Sequence, residues 1–175
     1  MPTMFDAVFL GRFHHQKGVL ELVDIWDLVN KRLPNATLVM IGNGALWSEC
    51  KARQHIRIYL TGPLYGKERN DIIKSCKVAV HPAQYDSGGM SLAICLGFGL
   101  PGVMYQLPNL RDYYTEGEGI IKVKTKEEFA EAIVKLLNDD EYYYEMSDRA
   151  YAYAKREWSW EARAEKVWKN MTLLL

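Results

Sequence analysis

The chain has 175 residues with 22 basic and 22 acidic side chains, so its formal net charge is zero. This length suits one compact domain with a full core. The charge balance disfavours proteins whose whole surface is basic, such as many that bind nucleic acids or membranes. Cys50, Cys76 and Cys95 follow neither a metal-ligand nor a disulfide spacing, which favours a reducing compartment such as the cytoplasm.

The beginning of the chain predicts a domain boundary rather than a targeting segment. Asp6, Gly11 and Arg12 interrupt the first apolar stretch, which argues against a signal peptide. A strand follows the first four residues almost directly, and we therefore expect the sequence to start where a domain starts. No apolar run reaches the roughly 20 residues that cross a bilayer, so the sequence predicts no membrane-spanning helix.

Short apolar runs alternate with amphipathic stretches along the rest of the chain. Strands are predicted over residues 7–10, 37–41, 56–60, 78–80, 102–105 and 119–123. Helices are predicted over residues 19–33, 46–53 and 67–75, after Gly89, and over 140–156. A capping box formed by Thr125 and Glu128 predicts a further helix. A last helix follows Ser159 and has one apolar stripe, formed by Trp160, Ala164, Val167, Trp168 and Met171.

Continuously apolar strands separated by helices are typical of a parallel sheet with helices on both faces. The sequence therefore predicts an α/β fold, a single domain over residues 1–175 and a helical extension at the C-terminal end. In such sheets a ligand binds beyond the carboxyl ends of the strands. This rule points to the loops after Leu10, Ile41 and Val80.

The loop after the first strand carries two permanent cations, Arg12 and Lys17, between a strand end and a helix start. Arginine offers a planar fork of donors and lysine a point charge, and together they suit a diphosphate. A solvated basic loop without a ligand explains the same residues. His14 and His15 are adjacent, lack the usual ligand spacing and have no acid or cysteine beside them, so we predict no metal site there.

The stretch YDSGGMSLAICLGFGLP, residues 85–101, predicts a sharp turn that opens a buried helix. The first free N–H groups of that helix can cradle a phosphate, and the hydroxyl groups of Ser87 and Ser91 add donors. Like charges repel, so Asp86 is expected to accept hydrogen bonds from sugar hydroxyls rather than to touch the phosphate. The alternative interpretation is that Asp86 or Ser87 caps the helix with no ligand at all.

Taken together, these segments resemble the C-terminal, donor-binding domain of family 4 retaining glycosyltransferases, which have the GT-B fold. The family's G-R-x-x-x-x-K-G matches residues 11–18, and its I-G-x-G matches residues 41–44. Its P-S-x-x-E-G-F-G-L segment corresponds to residues 82–90, and its S-W-E before the final helix to residues 159–161. The resemblance covers nearly the whole chain in the right order, and it implies a Rossmann-like sheet.

The resemblance implies roles for individual residues. Arg12 and Lys17 hold the diphosphate of a nucleotide sugar, and Asp86 replaces the family's glutamate that contacts the donor sugar hydroxyls. These three residues are the predicted catalytic group, and no metal ion or other cofactor is implied. The further donor-binding residues are expected in the loops at the strand ends: Gly11, Gly42, Gly62, Leu64, Ser87, Gly88, Gly89, Met90 and Ser91.

The chain departs from the family at the second acid of its E-x7-E signature, which holds the ribose hydroxyls. Counting eight residues on from Asp86 leads to Ile94, so ribose recognition must differ or be absent. Three hypotheses follow. The chain is the donor half of a retaining hexosyltransferase, or a degenerate, non-catalytic homologue that partners an active subunit. The third is a flavodoxin-like interaction module without a nucleotide site.

A GT-B enzyme also needs an N-terminal domain that binds the acceptor, and no part of this chain resembles it. We therefore expect that this chain alone cannot catalyse sugar transfer. The expected partners are a nucleotide sugar, the N-terminal domain and an acceptor glycan, lipid or small molecule, and no nucleic acid. The expected location is the cytoplasm, where the N-terminal domain could bring the protein to the membrane face.

Overall fold

The computed structural model describes residues 3–110 and 113–172. These residues contain six strands: β1 Phe5–Leu10, β2 Leu38–Ile41, β3 Ile58–Gly62, β4 Cys76–His81, β5 Gly102–Tyr105 and β6 Ile120–Val123. The helices are α1 Val19–Arg32, α2 Trp47–Arg53, α3 Gly66–Lys74, α4 Met90–Leu96, α5 Lys126–Asn138, α6 Asp140–Trp158 and α7 Trp160–Thr172. Short 3-10 turns cover His15–Lys17 and Pro108–Leu110.

The six strands form one parallel sheet in the order β3-β2-β1-β4-β5-β6. Val8 of β1 lies opposite Val39 of β2 on one side and Ala79 of β4 on the other. The chain therefore winds outward in both directions from β1 and β4, which is the Rossmann order. This confirms the predicted fold class. A flavodoxin-like sheet has the order 2-1-3-4-5, so the topology contradicts the flavodoxin-like hypothesis.

The sheet divides the core into two layers, because neighbouring residues of a strand point to opposite faces. Phe9 packs in the layer that contains Trp26 of α1 and Phe129 of α5. Val8 packs in the other layer, which contains Leu92 of α4 and residues of α6. The strands are thus covered on both faces, as their continuously apolar sequences predict.

β1 and β4 each begin two residues earlier than the sequence predicts, and β3 and helix α7 also differ from the expectation. β3 begins two residues later than predicted, because Ile56 is 82% exposed and the N–H of Ile58 donates to the carbonyl of His55 in a preceding turn. Helix α7 forms where predicted, but its apolar stripe is not buried, and Trp160 and Trp168 are 87% and 69% exposed. In residues 3–110 and 113–172, no helix is both long and apolar enough to cross a membrane.

The N-cap predicted at Thr125 of α5 is confirmed, and Glu128 closes a variant of the predicted capping box on the residue before the cap. The N–H of Glu128 donates to Thr125 Oγ1 at 3.1 Å, and the Glu128 carboxylate accepts from the N–H of Lys124 at 2.7 Å. The first of these bonds satisfies a donor that the first helical turn leaves without a partner. The first turn of α5 is therefore stabilised by its cap. Phe129 and Ile133 of this helix pack against the sheet, where both are fully buried.

Candidate functional site

The loops that follow β1 and β4 touch where the strand order reverses. The N–H groups of Gln84 and Tyr85 donate to the carbonyl oxygen of Gln16 at 3.0 and 3.3 Å. Gly18 has a φ of +65°, and a Cβ atom added there would lie 2.0 Å from the carbonyl oxygen of Pro82. A side chain at this position would therefore push the loops apart. The two loops form one unit at the place where open α/β sheets bind ligands.

Lys17 and Asp86, two of the three predicted catalytic residues, form an ion pair at this junction. The Lys17 ammonium and His81 Nε2 both lie against Asp86 Oδ2, the latter at 3.1 Å. The His81 contact is close but poorly directed for a hydrogen bond. Asp86 and His81 are buried, whereas the Lys17 side chain is 18% exposed. The lysine is therefore the member of the group that can reach a ligand with the least rearrangement.

The Asp86 carboxylate is held ionised by its surroundings. Burial alone raises its pKa, but the neighbouring His81 and Lys17 side chains and two backbone N–H groups hold the pKa well below its usual range. These N–H groups belong to Gly89 and Gly88 and donate to Asp86 Oδ1 at 3.0 and 3.2 Å. Both carboxylate oxygens thus have partners inside the protein.

In this structure, groups of the predicted phosphate cradle bind one another. The N–H groups of Gly88 and Gly89 were expected to face a ligand and Asp86 to bind sugar hydroxyls, but in the structure these groups bind one another. The alternative interpretation, that Asp86 or Ser87 caps the helix, is wrong, because the N-cap residue is Gly89 and no side chain caps α4. Met90 and Ser91 supply the first N–H groups of α4, where a helix has no internal acceptor for them.

The other predicted residues lie along the same edge of the sheet. Arg12, in the first loop, is exposed. Gly11, Gly42 and Gly62 follow one another across the ends of β1, β2 and β3. The N–H of Gly42 donates to the carbonyl of Gly62 at 2.9 Å, and a Cβ atom on Gly42 would lie 1.9 Å from the carbonyl oxygen of Gly11. Leu64 is half-buried against the core layer of α4 and α6.

Two residues that the sequence analysis missed hold the turn after β4. The Tyr114 hydroxyl donates to the carbonyl of Gly89 at 2.6 Å, and Asn109 Nδ2 donates to the carbonyl of Asp86. Tyr114 is fully buried and stacks on Trp158, with ring centroids 5.3 Å apart. No motif marks either residue. His81 was also missed, although a histidine at the carboxyl end of a central strand was a usable signal.

Ile94 occupies a different environment from the Asp86 junction. It lines a cavity of about 530 Å³ between α4 and the junction of α6 and α7, with Phe98, Tyr151, Trp158 and Trp160. Most of this lining is apolar or aromatic, with Lys155 and Ser159 as polar members, and Ile94 is partly buried against the core layer of α4 and α6. The position where the second acid was expected therefore serves packing in this chain.

The chain was compared with known proteins. The family model described as Glycosyl transferases group 1 matches residues 5–139. Among curated proteins, the chain is 22% identical over 160 residues to the poly(glycerol-phosphate) α-glucosyltransferase of Bacillus subtilis strain 168. That alignment covers 87% of this chain and 24% of the relative. The chain therefore spans about a quarter of the length of this curated relative.

Solved structures share the fold over nearly the whole chain. TarM of S. aureus, in complex with fondaparinux, α-GlcNAc-glycerol and UDP, is 20% identical with a TM-score of 0.83, and the match covers 97% of this chain and 36% of TarM. The C-terminal domain of a glycosyl transferase group 1 family protein (LpcC) from Francisella tularensis is 14% identical with a TM-score of 0.80. That match covers 91% of this chain and 89% of the solved domain, so the two have similar extents.

Proposed function

Because the chain belongs to the glycosyl transferases group 1 family, we propose that it is the donor half of a retaining glycosyltransferase. Its ligand is a nucleotide-diphosphate sugar, from which the parent protein transfers a hexose to an acceptor hydroxyl. A relative named as a glucosyltransferase supports the hexose, and a structural neighbour in complex with UDP supports the nucleotide. The free, buried thiols of Cys50, Cys76 and Cys95 are compatible with work in the reducing cytoplasm.

The observation that carries this proposal is the contact between Lys17 and Asp86 at the strand-order switch, with the exposed Arg12 in the same loop. Asp86 keeps His81 and two backbone N–H groups if Lys17 leaves. Lys17 has a flexible stem and is already partly exposed. A diphosphate carries more negative charge than one carboxylate, so it can draw the ammonium outward while Asp86 stays anchored.

In the proposed reaction, the bond between the sugar and the diphosphate breaks while the acceptor hydroxyl attacks the same face of the sugar and passes its proton to the departing diphosphate. Negative charge then builds on the departing diphosphate. Arg12 and Lys17 stabilise this charge, and losing one such contact raises the barrier by about 2.7–4 kcal/mol, as for other groups that stabilise developing charge. Since two side-chain cations supply the positive charge, we propose that no divalent metal ion is required.

Calorimetric titration tests the donor site directly. We expect UDP and UDP-glucose to bind, and Arg12→Ala and Lys17→Ala each to weaken binding by about tenfold or more, the effect of about 1.4 kcal/mol. Lys169→Ala, which removes an exposed lysine of α7, is the matched control and should bind as the parent does. EDTA should leave the affinity unchanged. If neither UDP, GDP nor their sugars bind, the donor-site proposal is wrong.

A separate acceptor domain completes the proposed enzyme. The chain spans 24% of the curated relative and 36% of TarM, so most of each protein lies outside the match. We propose that an N-terminal domain binds the acceptor, a glycan, lipid or small molecule, and that the chain alone is inactive. A transfer assay with UDP-glucose should show turnover for the longer parent protein and none for the chain. Turnover by the chain alone would contradict this division of labour.

Ile94 favours a second candidate, a degenerate homologue that binds a nucleotide sugar without transferring it. Ile94 stands where the ribose-binding acid of the family is expected, and its side chain offers no carboxylate to the ribose. Asp86→Ala in the parent protein distinguishes the two candidates. The enzyme hypothesis predicts a large loss of transfer by Asp86→Ala. The degenerate hypothesis predicts that the parent protein has no transfer activity to lose, although nucleotide binding persists.

A further inference from the structure

A second cavity lies beside the candidate donor site, at the carboxyl ends of β5 and β6. Its volume is about 490 Å³, within the range of about 300–1,000 Å³ that is typical of small-molecule sites. Five polar side chains line it: Glu21, Gln84, Tyr105, Gln106 and Lys124. Neither the diphosphate site nor the resemblance to known glycosyltransferases gives these residues a role.

Glu21 is the fixed centre of this cavity. The Tyr105 hydroxyl donates to Glu21 Oε1, and Gln84 Nε2 donates to Glu21 Oε2, each at 2.7 Å. A tyrosine hydroxyl is protonated at neutral pH and can donate; burial, and then the bond to Glu21, raises the pKa of Tyr105 further. Each carboxylate oxygen has one internal donor and keeps the capacity to accept another hydrogen bond. The carboxylate is therefore held in place with acceptor capacity left for a ligand.

The rest of the lining combines hydrogen-bonding and apolar groups. Gln106 can both donate and accept, and Lys124 donates. Leu107 and Val123 add a small apolar surface. One acid and one base leave this lining without a net formal charge, which disfavours a phosphorylated ligand. Hydroxyl groups both donate and accept, and the C–H face of a sugar ring is apolar, so the lining matches a neutral sugar.

We propose that this cavity is a carbohydrate-binding subsite, separate from the diphosphate site, that takes a neutral sugar unit. Gln84 links this cavity to the diphosphate site. Its side chain donates to Glu21, and its backbone N–H donates at 3.0 Å to the carbonyl of Gln16, in the loop that carries Lys17. The subsite suits part of an acceptor glycan, and this assignment to the acceptor rests on the proposed function.

Nuclear magnetic resonance of the whole 175-residue chain tests the subsite. The probe is methyl α-D-glucopyranoside, and the reporters are the methyl groups of Leu107 and Val123, with Val167 on α7 as a remote reference. We expect saturable shifts at the two cavity residues and none at the reference. Inorganic phosphate, the comparison probe, should not shift them, because the lining has no excess positive charge.

A paired variant makes the test specific. Gln106→Ala combined with Lys124→Ala removes ligand-facing groups without touching the bonds to Glu21, and should weaken sugar binding by about tenfold. Lys169→Ala is the control and should not change it. Absence of sugar shifts, or equal shifts in the double variant, overturns the subsite.

A UDP titration of the same samples, followed at the Gly18 amide, separates the subsite from the proposed function. UDP shifts without sugar shifts overturn the subsite alone. Sugar shifts at Leu107 and Val123 without UDP shifts support the subsite and contradict the donor function.

Discussion

The loops after β1 and β4 differ from helix α7 in what they bury. At the loop junction, the charged Asp86 is buried and its carboxylate oxygens have internal partners. Along α7, the apolar side chains of Trp160, Trp168 and Met171 are exposed. Each segment carries a strong local sequence pattern. Its side chains are buried only where other elements of the fold pack against them. The comparison shows that burial follows from the surrounding elements and not from residue polarity alone.

Truncating matched apolar side chains should give the largest contrast. Phe129→Ala removes a fully buried ring of α5 and should lower the free energy of unfolding by about 3–5 kcal/mol. Trp168→Ala removes an exposed ring of α7 and should change it by no more than about 0.5 kcal/mol. Urea unfolding followed by circular dichroism measures both values. Similar losses in the two variants would show that α7 is packed in solution, against the structure.

A substitution at Gly18 tests the close contact between the loops after β1 and β4. Gly18→Ala places a Cβ atom against the Pro82 carbonyl, whereas Gly66→Ala, also at positive φ, meets open space. Both substitutions should lower the free energy of unfolding by about 1–2 kcal/mol, because alanine disfavours a positive φ. Gly18→Ala should lower it by about 1–3 kcal/mol more through overpacking. The same urea titration gives the difference. Equal destabilisation would mean that the two loops are not in close contact.

The ionised state of Asp86 predicts a pH dependence. Its folded pKa lies below the unfolded value of about 3.9, so its charge stabilises the fold above that pH, and the stabilisation fades as pH falls towards the folded pKa. Asp86→Asn should therefore cost about 1–3 kcal/mol at pH 7. The loss of stability of this variant relative to the parent should become smaller below about pH 4.

The matched control for this pH dependence is Asp71→Asn. It removes the acid of an exposed pair with Lys67 and should cost no more than about 0.5 kcal/mol at pH 7. Unfolding measured across pH compares both variants with the parent. A constant deficit of Asp86→Asn from pH 7 to pH 2 would contradict the lowered pKa.

The smallest effect is expected for the hydroxyl that holds the turn. Tyr114→Phe keeps the stack on Trp158 but leaves the carbonyl of Gly89 without its donor, and should cost about 1 kcal/mol. Tyr151→Phe, at an exposed tyrosine of α6, should cost nothing measurable. Thermal unfolding with both variants measures the difference. If Tyr114→Phe is as stable as the parent, the turn does not depend on this bond.

Local sequence patterns were sufficient to predict the sheet and the position of the candidate site. Strands and helices have different hydrophobic periods, and parallel strands bring their carboxyl ends to one edge, so Arg12, Lys17 and Asp86 could be placed together in advance. The contacts that hold the turn after β4 could not be predicted. Tyr114 and Asn109 reach this turn from a distant part of the chain, and no local pattern encodes such contacts.

The sequence by itself determined the alternating elements, the sheet edge that holds the candidate site and the cations of the first loop, because these depend on neighbours along the chain. The tertiary structure alone decided that Lys17 binds Asp86, that Ile94 lines an apolar cavity and that the stripe of α7 is exposed. These outcomes depend on which groups meet across the fold. The free energy of a charge or an apolar surface is set by those neighbours, which lie far away in sequence.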